Sequence, residues 1–325
     1  MEKMLRINEH MKRHMPLYVM GSMVLGLLLP RVFAVFLPWM TLLLAMQTFA
    51  NTLGGSVRDL GAVLRRPLPI VVLFFLLHLV MPVVALVLGR LLFPDQPDLV
   101  SGLVLQFTLP AGVNTLMWAG MWGGDMALGL SMVLLDTLLS PLTIPMSLQL
   151  LLGTTVELDM SGMMGSLLVM VVVPAVLAMA LYGKDEGRRA RKLKQGMQLP
   201  SKLAMMLLIA ANGSKCSEFF RDFDPWLLTA VAVVLVLTTL GYVVGYLASG
   251  VLRVRYPSRI TMSVDVGYRN LSAGMVLAQQ YFAQQALLPV ALTPLFQNIL
   301  VSLVLQLLQK TRQARQHAAE TAQDN

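Results

Sequence analysis

The chain has 325 residues, 56% of them hydrophobic and 13% charged, with a mean hydropathy of +0.69; a water-soluble domain is roughly half apolar and a quarter charged. That balance excludes a soluble globular fold. The formal charge of +8 does not point to nucleic acid, because the basic residues sit in short connections between apolar segments, where they act as an orientation signal.

In chain order, residues 1–15 are a polar, basic stretch without a small-residue cleavage site, which reads as an amphipathic cytoplasmic N-terminus and not as a removable signal peptide. Apolar runs then predict membrane-spanning helices near 16–36, 38–54, 68–93, 99–123 and 126–151. Five more follow near 161–182, 200–213, 226–250, 258–284 and 287–309. Most of these runs are too long for the strands of a barrel, which alternate over about 10 residues. Two runs are interrupted, the fourth by Leu109-Pro110-Ala111-Gly112-Val113-Asn114 and the ninth by Asp265-Val266-Gly267-Tyr268-Arg269-Asn270. Neither reads as a continuous helix.

With ten spans and an inner N-terminus, twenty Lys and Arg fall on one side and only Arg31, Arg90, Lys215 and Arg221 on the other. Both termini are therefore expected in the cytoplasm of a multi-pass plasma-membrane protein. The basic linker 183–199 separates one five-helix repeat, 16–182, from a second, 200–309, and a cytoplasmic tail covers 310–325. Within the linker, the run toward Lys202 reads as a topology signal, with anionic lipid head groups as the alternative partner. An odd number of spans per half inverts the halves relative to one another. Ala50-Asn51-Thr52 recurs as Ala211-Asn212-Gly213, Gly112-Val113-Asn114-Thr115-Leu116 is echoed by Gly267-Tyr268-Arg269-Asn270-Leu271, and Ala127-Leu128 by Ala286-Leu287. All three pairs lie about half the chain apart.

Chemistry is expected at the interruptions. Unpaired backbone groups survive in a membrane only where they are buried in protein or line a polar cavity. Freed helix N-termini attract an anion, and freed carbonyls attract a cation. The ionisable residues at membrane depth are Asp136, Asp265, Arg269 and His78. Asp265 and Arg269 are four apart and would face one another across a helical turn. Asp136 shares a face of the fifth span with Gly129 and Val133, directed at the first interruption. These groups form either an ion and substrate site or a structural salt bridge. Candidate substrate contacts are Gly112, Gly267, Arg269 and Asn270 at the interruptions, with His78, Asn51, Asn212 and Asn298.

Pro110-Ala111-Gly112 through Gly124-Asp125-Met126-Ala127-Leu128 to Leu139-Ser140-Pro141, the stretch Asp265 to Asn270, and Leu288-Pro289 with Asn298 resemble the bile acid:sodium symporter family over most of the chain. The resemblance implies an all-α fold of ten transmembrane helices in two inverted five-helix repeats. In it the broken helices 4 and 9 cross in a core domain of spans 3, 4, 5, 8, 9 and 10, beside a panel domain of spans 1, 2, 6 and 7. It implies secondary active transport of a small organic anion by alternating access, with Na⁺ as coupling ion and no covalent cofactor. Its first sodium site maps to Thr115, Gly129, Val133 and Asp265, and Asn114 and Asp136 lie beside positions where a ligand is missing. Its second site maps to the carbonyls of Val264, Val266 and Tyr268. There Arg269 replaces a glutamine, either as a tethered positive charge in place of an ion or as a grip on the substrate carboxylate. The alternatives are a proton-coupled carrier and an uncoupled facilitator or channel. No HExxH, Gly-x-Ser-x-Gly or clustered histidines suggests an enzyme. The partners expected are the anion and membrane lipids.

Overall fold

The computed structural model describes residue 11 and residues 14–53, 67–153, 159–183, 188–221 and 226–323. Most of the N-terminal stretch, together with Arg58, Arg65, Arg66 and Lys184 of the orientation argument, lies outside the described residues. The fold is all-helical. In order it contains α1 (Met15–Leu28), α2 (Pro30–Thr52), α3 (Pro67–Leu92), α4 (Pro97–Thr108), α5 (Asn114–Met121) and α6 (Met126–Leu152). Then come α7 (Met160–Leu181), α8 (Arg188–Arg221), α9 (Trp226–Val251), α10 (Tyr256–Gly267), α11 (Leu271–Tyr281) and α12 (Gln284–Gln323). Among the described residues α2, α3, α6, α7, α9 and the Gln284–Thr311 part of α12 are each long and apolar enough to cross a membrane. The protein is therefore a multi-pass membrane protein.

Prolines shape these helices. Pro30 begins α2 at once after Leu29, whose backbone leaves the helical region (φ −122, ψ 55), because the residue before a proline is pushed out of it. The first boundary thus falls at residue 29, not near 37, and the segment Pro30–Trp39 belongs to the second helix through a 3₁₀ stretch, Ala34–Trp39. In α3 a π-turn at Leu76–Val80 precedes Pro82. Proline lacks the N–H that would serve the carbonyl four residues earlier. That carbonyl, on His78, instead accepts the Ser147 hydroxyl of α6 at 3.0 Å. A second π-turn, Leu168–Val172 in α7, precedes Pro174 in the same way.

The basic stretch is helical in its described part. From Arg188 it runs without interruption through Pro200 to Arg221, so the seventh helix is much longer than the 200–213 read from hydropathy, and its first turns carry the lysines of the supposed linker. Helix α8 packs chiefly on α1 and α2, while α9 packs on α10, and α4 on α3 and α12. Close approaches need glycine: a Cβ on Gly102 would sit 2.2 Å from the Ala286 carbonyl oxygen, and one on Gly245 2.4 Å from that of Met262. Leu77, Leu99, Leu103, Leu237 and Leu292 meet in one buried cluster, and Leu44, Met170, Leu208 and Val276 in another.

Candidate functional site

Both interruptions exist, and they meet. Helix α4 ends at Thr108 because Leu109, ahead of Pro110, adopts an extended backbone (φ −63, ψ 148). Helix α10 ends at Gly267, where Tyr268 turns extended (φ −107, ψ 104). Ala111 and Arg269 form an antiparallel bridge. The Gly112 N–H donates to the Tyr268 carbonyl at 3.0 Å, and the Asn270 N–H donates to the Pro110 carbonyl at 2.8 Å. Each broken strand thus satisfies backbone groups that the other exposes, which removes a cost of several kcal/mol per orphaned group in hydrocarbon. A Cβ on Gly112 would stand 3.1 Å from the Arg269 carbonyl oxygen and from the Tyr268 ring, so glycine lets the two strands approach.

The charged groups at this crossing pair differently from the sequence expectation. Asp265 and Arg269 form no ion pair, because the chain leaves the helix at Tyr268 and the four-residue turn that would bring them together does not exist. The Arg269 guanidinium instead donates through Nη1 to the Leu109 carbonyl at 3.0 Å and lies 5.8 Å from the Phe107 ring centre. It therefore sits on the C-terminal end of α4, where the helix dipole favours a cation. Its Nε and Nη2 have no hydrogen-bond partner. Asp136 does face the first interruption, and its Oδ2 accepts the Ala111 N–H at 2.8 Å. Its Oδ1 pairs with His78 Nε2 at 2.7 Å. An ionised carboxylate only accepts, so Nε2 carries the proton. Asp136, expected among the ion ligands, thus has both oxygens committed to protein donors.

Asp265 is in the opposite condition. It is fully buried, neither carboxylate oxygen has a hydrogen-bond partner, and the Thr115 hydroxyl beside it lies outside bonding geometry and is equally unpartnered. Around it the Tyr268 hydroxyl donates to Asn298 Oδ1 at 2.8 Å and neighbours Asn114, Trp118 and Gln297. The Tyr242 hydroxyl donates to the Gln297 carbonyl at 3.1 Å. Of the three carbonyls expected as ion ligands, that of Val264 already accepts the Tyr268 N–H at 2.9 Å, and that of Tyr268 accepts Gly112.

A cavity of about 480 Å³ opens between α1, α2 and α8 on one side and α5, α6 and α12 on the other. Its wall includes Asn51, Asn114 and Asn298 as expected. A recess of about 60 Å³ shares those three residues and reaches Gly112, Arg269 and Asn270. Three expected contacts lie elsewhere. His78 faces an apolar groove lined by Pro67, Phe74 and Leu139. Asn212 turns back to the Leu208 carbonyl of its own helix at 2.8 Å. Gly267 packs on the Tyr242 ring, which an added Cβ would meet at 2.2 Å. Trp118 and Trp122 pack with Tyr242 and Tyr268 rather than walling the cavity. Sequence reading missed Gln47, Lys194 and Lys202, which line the cavity; the spacing of Lys194, Gln198 and Lys202 on one helical face was the available signal.

A family model described as "Sodium Bile acid symporter family" matches residues 41–220. The chain is 36% identical over 292 residues to "Uncharacterized protein YbaS" of Bacillus subtilis, covering 89% of this chain and 94% of that protein. It is 22% identical over 283 residues to "Uncharacterized sodium-dependent transporter YocS" of the same organism, covering 87% of each. It is 26% identical over 302 residues to "Probable sodium/metabolite cotransporter BASS1, chloroplastic" of Arabidopsis thaliana, covering 92% of this chain and 74% of that one. The helical membrane architecture and these similarities mark a transporter and not an enzyme, and the chain belongs to the sodium bile acid symporter family.

Proposed function

We propose that the protein is a sodium-coupled symporter of a small organic anion in the plasma membrane, with both termini cytoplasmic. In this reading α4 with α5, and α10 with α11, are two broken spans among ten, and the halves are inverted five-helix repeats. The antiparallel pairing of Ala111 with Arg269 supports the inversion, since it sets the two echoed interruptions against each other in opposite directions. The helices α1, α2, α7 and α8 move as a panel against the rest, exposing the cavity to each side in turn.

One observation carries the reading: a buried aspartate, Asp265, with both oxygens unpartnered beside the unpartnered Thr115 hydroxyl, at a backbone crossing next to a cavity. An isolated buried carboxylate is costly, and a bound cation offsets that cost. Sodium takes oxygen donors, and Asp265 and Thr115 supply them, with Asn114 and the Val266 carbonyl within the same crossing. Asp136 is already served on both oxygens, by Ala111 and His78, and so gains less from a cation than Asp265 does. The anion occupies the cavity with its acidic group toward the recess, where Arg269 and Asn270 lie and helix α11 begins.

A thermal-shift screen of the purified protein against organic acids, in NaCl and in KCl, identifies the substrate. Uptake of the hit into proteoliposomes under separate Na⁺ and pH gradients then tests the coupling. Accumulation under the sodium gradient is expected. Accumulation under the pH gradient alone refutes sodium coupling, and equilibration with neither gradient indicates a facilitator.

A further inference from the structure

The cavity is electrostatically lopsided along its α8 wall. Lys194, Gln198 and Lys202 repeat every four residues along one face of α8 and all three line the wall. No Asp or Glu lines that wall among the described residues. Lys194 is half-buried, and burial pulls its ammonium below the usual lysine value. Shielding an ammonium from water without a counter-charge is unfavourable, so the site gains by receiving an anionic group. The recess with Arg269 and Asn270 adjoins this cavity and shares Asn51, Asn114 and Asn298 with it. Leu116, Leu130, Val133 and Leu134 give the cavity an apolar flank. The volume of about 480 Å³ is in the range of small-molecule sites.

We propose that Lys194 and Lys202 form a second anion station on α8, so that the cavity prefers a substrate carrying two carboxylates joined by a short apolar chain, one at the crossing and one at α8. This rests on the reading of the cavity as an organic-anion site and adds to it the substrate class and the residues that set it. The two stations lie on opposite sides of the proposed moving interface: Arg269 and Asn270 flank α10 and α11, the lysines lie on α8. A substrate with two acidic ends would bridge the panel to the crossing, whereas a monoacid would engage one side.

The test uses the purified full chain in detergent with NaCl. Malonate, succinate, glutarate and adipate are each titrated by thermal shift against the monocarboxylate of the same carbon number. At least one dicarboxylate is expected to half-saturate at a concentration about tenfold or more below its monocarboxylate, the factor one charge-assisted contact supplies. Lys194→Met should bring that ratio to within about threefold of unity, and Lys194→Arg should retain most of it. Equal affinity for every matched pair, no response to any dicarboxylate, or an undiminished ratio in Lys194→Met overturns the proposal. Where Lys194→Met does not fold, Lys202→Met is read in the same way. The underlying reading fails separately, when replacing KCl with NaCl changes neither the melting temperature of the unliganded wild type nor the response to any acid.

Discussion

Removing either partner of the His78–Asp136 pair should destabilise the protein far more than removing an ordinary interhelical hydrogen bond, and the two losses should not add. The imidazole and the carboxylate are 2.7 Å apart, with side chains 8% and 0% exposed, so the figure of about 0 to 1 kcal/mol for solvated pairs does not apply. A bond to a charged group contributes about 1.5 to 3 kcal/mol. Neutral bonds between membrane helices average only about 0.6 kcal/mol, the value expected for the long 3.4 Å contact from Gln106 to Thr238. Asp136→Ala also strands the Ala111 N–H, so it should cost about 3 to 5 kcal/mol, whereas His78→Ala leaves Asp136 its bond to Ala111 and should cost less. The assay is reversible denaturant unfolding of wild type, both single variants and the double variant, analysed as a cycle. A coupling of about 1.5 to 3 kcal/mol is expected. A coupling below about 0.5 kcal/mol, the limit for independent sites, would refute the assignment of this pair as the tie between α3, α6 and the first interruption.

Asp265→Asn should abolish the sodium-induced rise in melting temperature while leaving expression and membrane insertion largely intact; a preserved sodium response would remove Asp265 from the ion site. Arg269→Gln should abolish transport of the substrate found by the screen, because it deletes both the positive charge and the Nη1 donor that holds the Leu109 carbonyl, and near-normal uptake would discard that role. Gly267→Ala should reduce folded yield sharply, since its Cβ would fall 2.2 Å from the Tyr242 ring and overpacking costs about 1 to 3 kcal/mol or more; Gly267→Ala paired with Tyr242→Leu should recover part of it in a detergent-stability assay. Gly123, with φ +69, should tolerate Asn better than Ala in the same assay, because a left-handed backbone costs an ordinary residue about 1 to 2 kcal/mol.

Much of the crossing was legible in the amino-acid sequence, and what was not had a physical reason. Leu109-Pro110 announces a break through local sterics alone, and Asp265 stands out because an acid in an apolar run has few places to go. The partners of these groups were hidden, because they come from distant segments. His78 and Asp136 are 58 residues apart and Arg269 is 160 from the carbonyl it holds, and no periodicity encodes such pairs. The inferred contact between Asp265 and Arg269 failed for a local reason, since it presumed one more helical turn than the backbone makes. The boundary at Leu29 was masked because apolar residues continue on both sides, leaving Pro30 as its sole mark. The lysines of α8 were read as an orientation signal because charge counting ignores which way a helix faces. Once α8 is seen to continue through Lys194, the same spacing becomes a wall of the cavity.

The two buried aspartates differ in how the protein satisfies them. Asp136 and Asp265 are both fully buried, yet Asp136 accepts the Ala111 N–H and the His78 imidazole, whereas Asp265 accepts nothing. A cation at Asp136 would compete with donors that already serve it, from Ala111 and His78, and would leave the Asp265 oxygens without a partner. In the proposed reading a cation comes and goes at Asp265 while the backbone bonds from Gly112 to Tyr268 and from Asn270 to Pro110 stay in place. In that reading Arg269, held at the crossing by the Leu109 carbonyl, contributes a positive charge that limits how many cations the crossing can attract. Arg269→Gln removes that positive charge, so the variant should bind sodium with greater apparent cooperativity or higher stoichiometry even as it loses transport. Isothermal titration of sodium into the purified variant and wild type distinguishes the cases, and an unchanged single-site isotherm would show that Arg269 does not set the ion count.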